Sequence, residues 1–119
     1  MSITIYHNPR CSKSRKTLEL LEQSGVTPTI VEYLKEPPAA EMTLRHARLI
    51  GVQVADLVRR GEDEFKQADD LPDLADDAAL ANWLEAHPKV IERPIVVDEA
   101  RGKAIIGRPP ENVLGLIDE

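Results

Sequence analysis

The chain has 119 residues, 42% of them hydrophobic, one cysteine, and a formal net charge of -6 from 15 Lys plus Arg against 21 Asp plus Glu. An acidic total argues against a general nucleic-acid binder, which presents a basic face, and no apolar run approaches the ~20 residues that a membrane span needs. A chain of this length suits one domain that buries roughly 65% of the surface its unfolded form exposes, enough for a core without metal or disulfide staples.

The first segment, SITIY (2–6), alternates and is rich in β-branched and aromatic residues, the pattern of a strand. NPR turns the chain. Ser12 is the candidate N-cap of a helix over Lys13–Ser24, with Leu18 and Leu21 at helical spacing and Gly25 closing it. TPTIVEYL (27–34) reads as a second strand. Strand, helix, strand is the unit that builds a parallel sheet.

A helix opening at Ala39 or Thr43 runs to about Ile50 and stops at Gly51; a short helix over Val54–Arg59 follows, closed by Gly61. Residues 62–75 are acidic and irregular, with room for one helical turn. Residues 76–88 form a helix with an acidic first turn, Leu80, Trp83 and Leu84 on one face, and a proline stop. RPIVVD (93–98) and KAIIG (103–107) are strands joined by a hairpin at 99–102. Pro109 and Pro110 open a last helix that runs to about Ile117 with Val113, Leu114 and Ile117 inward. The expected fold class is therefore α/β: a thioredoxin-like, four-stranded mixed sheet, one domain over 1–119, with a helical insertion at about 39–88 between strands 2 and 3.

Charge and chemistry concentrate at HNPRCSKSRKT (7–17). Cys11 falls between the first strand and the first helix, where open α/β sheets bind ligands. At a helix N-terminus the backbone N–H groups lack internal partners and the dipole is positive. With Arg10, Lys13 and Arg15 nearby, a thiol there has its pKa drawn from about 8.5 into the range ~3.5–7.5, and the same N–H groups suit an oxyanion. The competing reading is a small, buried, inert cysteine. The basic and hydroxyl neighbours disfavour it.

YHNPRCSKSRKTLELLEQSG (6–25) and ERPIVVDEARGKAIIGRPPENVL (92–114) together resemble the glutaredoxin-coupled arsenate reductase family, and the likeness extends over nearly the full chain. The resemblance implies Cys11 as nucleophile with His7 four residues before it, and three arginines around the anion at Arg59 (with Arg60 as the adjacent alternative), Arg93 and Arg108. It implies that the thiolate attacks arsenate, that glutathione joins the arsenic as co-substrate, and that glutaredoxin accepts the glutathione before arsenite leaves. A chain with one cysteine has no resolving thiol, so an outside thiol must supply electrons. Guanidinium forks suit a tetrahedral oxyanion. The pattern departs at Arg10, Ser12 and Lys13, where the family has a small residue, Gly and Thr.

His7 is assigned to stabilising the thiolate as a cation or to orienting the loop. Ser14 and Arg15 are candidate anion contacts, beside capping and a solvated surface cation as the plainer readings. The fold resemblance places a cis-proline at Pro94. Trp83 belongs to a core face, and His46 and His87 read as isolated surface residues. No spacing resembles a metal site, no bound cofactor is expected, and no segment demands a second copy, so the expected state is a monomer. An N-terminus without a basic-then-apolar leader, together with a single cysteine, leads to the cytoplasm as the expected compartment. Two further readings stand beside the reductase. One is an RNA-polymerase-binding regulator on the same fold, disfavoured as a disulfide switch because Ser14 replaces the second Cys of a Cys-x-x-Cys pair. The other is a thiol-dependent reductase of another substrate.

Overall fold

A computed structural model describes residues 2–117. These form two compact units: residues 2–33 with 93–117, and Leu34–Glu92.

The first unit carries the sheet. Strand β1 (Ile3–His7) runs parallel to β2 (Thr29–Glu32) and antiparallel to β3 (Ile95–Asp98), which pairs antiparallel with β4 (Lys103–Ile106). The order is β2-β1-β3-β4, the mixed four-stranded sheet of a thioredoxin-like fold. β1 and β3 are central, and all four residues of β3 are buried. A strand covered on both faces favours a continuous apolar run, and IVV supplies it. Helix α1 (Ser12–Gln23) crosses from β1 to β2, and α5 (Asn112–Ile117) packs beside it. Ile3, Ile5, Leu21, Val96, Val113 and Leu116 make the core between helices and sheet.

The ends of α1 differ from their sequence reading. The N-cap is Cys11, not Ser12. Ser24 is the C-cap, and Gly25 follows at φ +81°, in the left-handed region that favours glycine. The last helix begins at Asn112 rather than at the prolines. Its inward residues are Val113 and Leu116, with Leu114 and Ile117 only partly covered. The bonds before Pro94 and Pro109 are both cis. The proline at 94 therefore has the isomer that the fold resemblance implies.

The second unit, Leu34–Glu92, is helical and reaches further at each end than 39–88. Helix α2 (Ala40–Ile50) ends on Gly51 at φ +87° and packs on α4 (Asp77–Ala86). Helix α3 (Asp63–Lys66) is the single turn of the acidic segment. The segment read as a short helix over Val54–Arg59 is a 3₁₀ turn over Val54–Leu57. It stops early because Val58 turns extended and bridges Ile91, while the Arg59 N–H donates to the Val90 carbonyl at 2.7 Å. The α4 N-cap is Asp76, whose carboxylate accepts the Ala79 N–H at 3.1 Å. Past its end Pro88 starts a 3₁₀ turn over Pro88–Val90.

Two histidines are not the isolated surface residues expected. His46 is 1% exposed. It sits on the buried face of α2 with Thr43 and Ala47, and their i, i+3, i+4 spacing carries it inward. His87 stacks on Trp83 with ring centroids 4.1 Å apart and meets the Glu64 carboxylate at 3.3 Å. Trp83 is buried, and its indole N–H donates to Asp70.

Candidate active site

The end of β1, the turn 8–10 and the start of α1 place Cys11. Its N–H closes the turn by donating to the Asn8 carbonyl at 3.0 Å, and its carbonyl accepts the Arg15 N–H at 3.0 Å to begin the helix. Cys11 is thus half turn and half helix, its backbone extended at φ -93°, ψ 122°. That geometry sets its sulfur by the first N–H groups of α1.

Burial pushes the half-buried thiol's pKa up. The backbone N–H of Ser14, the Arg93 guanidinium and the backbone N–H of Lys13 together outweigh it, and the pKa falls below the ordinary thiol value. Hydrogen bonds and positive charge both favour the thiolate. Arg108 adds a contact from the other end of the sequence: its Nη2 donates to Cys11 Sγ at 3.5 Å, while its Nε donates to the Arg93 carbonyl at 2.7 Å. The second bond fixes one edge of the guanidinium and leaves the other edge on the sulfur. The turn holding Arg93 is itself held by the Gly107 N–H, which donates to the Pro94 carbonyl at 2.8 Å. Gly107 admits no side chain, since a Cβ there would lie 2.6 Å from Thr17 Oγ1 and 2.8 Å from Pro94 Cγ. Helix α1, the Pro94 turn and the end of β4 therefore meet closely at Gly107.

Beneath the loop lies a buried polar knot. Ser14 is fully buried; its Oγ accepts the Asn8 N–H at 3.0 Å and lies 2.6 Å from His7 Nδ1. His7, 6% exposed, has its pKa lowered by burial, against the opposing charge of Glu32 on the neighbouring strand. A neutral imidazole receiving the Ser14 hydroxyl proton at Nδ1 satisfies all three groups with one donor each. Of the two readings of His7, burial disfavours the charged form that would lend the loop positive charge and leaves the one in which the ring orients the loop. The Ser14 hydroxyl is spent on His7 and Asn8, and what Ser14 offers the sulfur is its backbone N–H.

Arg15 is also engaged elsewhere: its exposed guanidinium donates to the Pro9 carbonyl at 2.9 Å and braces the turn. Arg59 belongs to the helical unit. Its guanidinium lies 3.9 Å from each of the Glu62 and Glu92 carboxylates, with its side chain 26% exposed, whereas its neighbour Arg60 is exposed.

Asn8 escaped the sequence reading. It is buried and ties the loop three ways: its carbonyl holds the Cys11 N–H, its Oδ1 holds the Arg10 N–H at 3.0 Å, and its own N–H reaches Ser14. Its signal was in the sequence, since Asn before Pro in a turn is a residue that bonds its own backbone two residues on. Among the described residues no group of three His, Cys, Asp or Glu side chains could hold a metal ion.

A thioredoxin-like mixed sheet with a single cysteine at the start of its first helix, and with Arg93 just before β3 and Arg108 just after β4, defines the class of protein by fold and site. Within it, the chain belongs to the ArsC family, whose model matches residues 6–116. It is 40% identical to an arsenate reductase of Haemophilus influenzae over 98% of this chain and 100% of that one. It is 48% identical to the uncharacterised protein YfgD of Escherichia coli K12, over 97% of this chain and 96% of that protein. The structure of an arsenate reductase from Vibrio cholerae superposes with a TM-score of 0.87 at 43% identity, covering 98% of each chain.

Proposed function

We propose that this chain is an oxidoreductase that reduces arsenate to arsenite through Cys11, with glutathione and glutaredoxin as electron donors. The observation that carries the reading is the convergence on one sulfur of two helix N–H groups, Arg93 and Arg108. Its support by kinship is the run of arsenate reductases among its relatives.

The Cys11 thiolate attacks arsenic(V); an As–S bond forms and an oxygen leaves as water. Arg93 and Arg108 hold the remaining oxygens by charge-assisted hydrogen bonds and offset the charge that the attack concentrates. A glutathione thiol displaces a second oxygen as water, giving arsenic held by two sulfurs. A glutaredoxin thiolate then takes the glutathione sulfur as a mixed disulfide, and the bonding pair stays on arsenic, which becomes arsenic(III). Water releases arsenite and restores the Cys11 thiol. Since no second cysteine exists in the sequence to resolve the adduct, the two reducing thiols come from outside.

The test is arsenate-dependent NADPH oxidation with glutathione, glutathione reductase and glutaredoxin. Wild type turns over; Cys11→Ser, which removes only the nucleophile, loses activity by at least several orders of magnitude, as removal of a covalent nucleophile does. Turnover persisting in the serine variant would discard the mechanism. A wild type that stays silent with arsenate would discard the substrate.

A further inference from the structure

Four cations stand within residues 10–16, with no acidic residue among them, in a chain of net charge -6. Two of the four have local work: Arg15 braces the Pro9 carbonyl, and Lys16 lies 3.7 Å from Glu19. The other two, Arg10 and Lys13, sit one residue before and two residues after the thiol. Both are exposed. Neither side chain forms a hydrogen bond or ion pair among the described residues. Nor is either side chain among the groups that lower the thiol's pKa. The family resemblance gives them no role, since these are positions at which the chain departs from it.

Exposed cations that neighbour a half-buried sulfur in the chain, and form no contact of their own, act on what approaches it. What must approach a lone catalytic cysteine is a second thiol. We propose that Arg10 and Lys13 are specificity-determining residues for that thiol, selecting a small thiol that carries carboxylates over neutral or cationic ones. The inference rests on the reading of Cys11 as a thiol-exchanging nucleophile, but not on arsenate as substrate. A basic rim around a reactive atom raises the local concentration of anions and steers their encounter, an effect that salt screens.

The experiment uses the reduced full chain and three disulfides that differ in charge: oxidised glutathione (anionic), hydroxyethyl disulfide (neutral) and cystamine (cationic). In each case the Cys11 thiolate attacks one sulfur and a Cys11–S–S–R bond forms. The other half leaves with the electron pair and takes a proton from water. Mass spectrometry follows the adduct. The neutral disulfide reports on the thiolate alone, so the rate ratio of anionic to neutral isolates the charge effect. In the R10Q/K13Q variant this ratio falls roughly three- to tenfold, as expected for two exposed charge contacts, and the cystamine ratio rises. The wild-type ratio also collapses between roughly 20 mM and 0.5 M salt. A ratio equal in wild type and variant, or a wild type indifferent to charge at low salt, overturns the proposal. Charge selection intact with no arsenate turnover removes the reductase reading and leaves this one. Arsenate turnover with no charge selection does the reverse.

Discussion

A buried hydroxyl does more for this thiol than its distance suggests. Ser14 offers its backbone N–H to the sulfur and its Oγ to His7 and Asn8, so one residue sets both the electrostatics and the shape of the loop. Ser14→Ala keeps the backbone donor but leaves His7 Nδ1 and the Asn8 N–H unpaired in a buried place. We expect a cost of about 1–3 kcal/mol in denaturant unfolding, and a thiol pKa raised toward its ordinary value in ultraviolet titration of the thiolate. Arg108 acts directly. Arg108→Gln removes a cation whose Nη2 is 3.5 Å from Cys11 Sγ, so the same titration should again shift upward, with arsenate-dependent turnover falling while unfolding changes little. The sign follows from charge: the thiolate is the form the cation stabilises, and losing the cation lets the proton stay to higher pH. No shift in the Arg108 variant would leave the donation to sulfur without electrostatic consequence.

At the scale of elements, caps and turn chemistry decide where helices lie. Asp76 caps α4 through the Ala79 N–H, and α4 carries Leu80, Trp83 and Leu84, all buried. Asp76→Ala should cost about 1 kcal/mol, read as a fall of about 4 °C in Tm for a chain of this size; an unchanged Tm would mean that neighbouring contacts hold the first turn without its cap. Most elements were legible because each carries its own signal. SITIY alternates, IVV is a continuous apolar run, Gly51 is the left-handed stop of α2, and the proline at 88 ends α4. The errors fell where a local signal met a partner far along the chain. The Val54–Arg59 segment shortens because Ile91 and Val90 claim Val58 and Arg59 as extended backbone. Ser12 is a good capping residue by type, yet Cys11 takes the cap position because its N–H is needed by the Asn8 carbonyl.

For the whole molecule, the telling group is His46. Burial, with Arg45 adding to it, lowers its pKa to about 4 from an ordinary value near 6.5. The native state therefore holds the neutral form, and the unfolded chain takes up a proton more readily. Stability attributable to this group is complete above about pH 6.5 and is lost as pH falls toward 4. The loss is at most about 3 kcal/mol at 1.36 kcal/mol per pKa unit. Urea midpoints measured from pH 7 to pH 4 should fall along that limb in wild type and flatten in His46→Gln. An identical limb in the variant would assign acid sensitivity to other groups. Periodicity could not reveal this, because a histidine at an i, i+3, i+4 position is placed by what packs on the helix, and nothing in HARLI says what that is.

By itself, the sequence determined that this is an α/β chain of the arsenate reductase family and singled out Cys11 as the residue to examine, because strand alternation, caps and the two long motifs are local and survive without a fold. Only the tertiary structure decided which neighbours act on the sulfur. Arg108 and Cys11 stand 97 residues apart in sequence, and a 3.5 Å contact between them exists only once β4 closes the sheet. The structure likewise decided that His7 is buried, with its charged form disfavoured, and that Ser14 is inward, since burial, which no residue carries in its own identity, sets both.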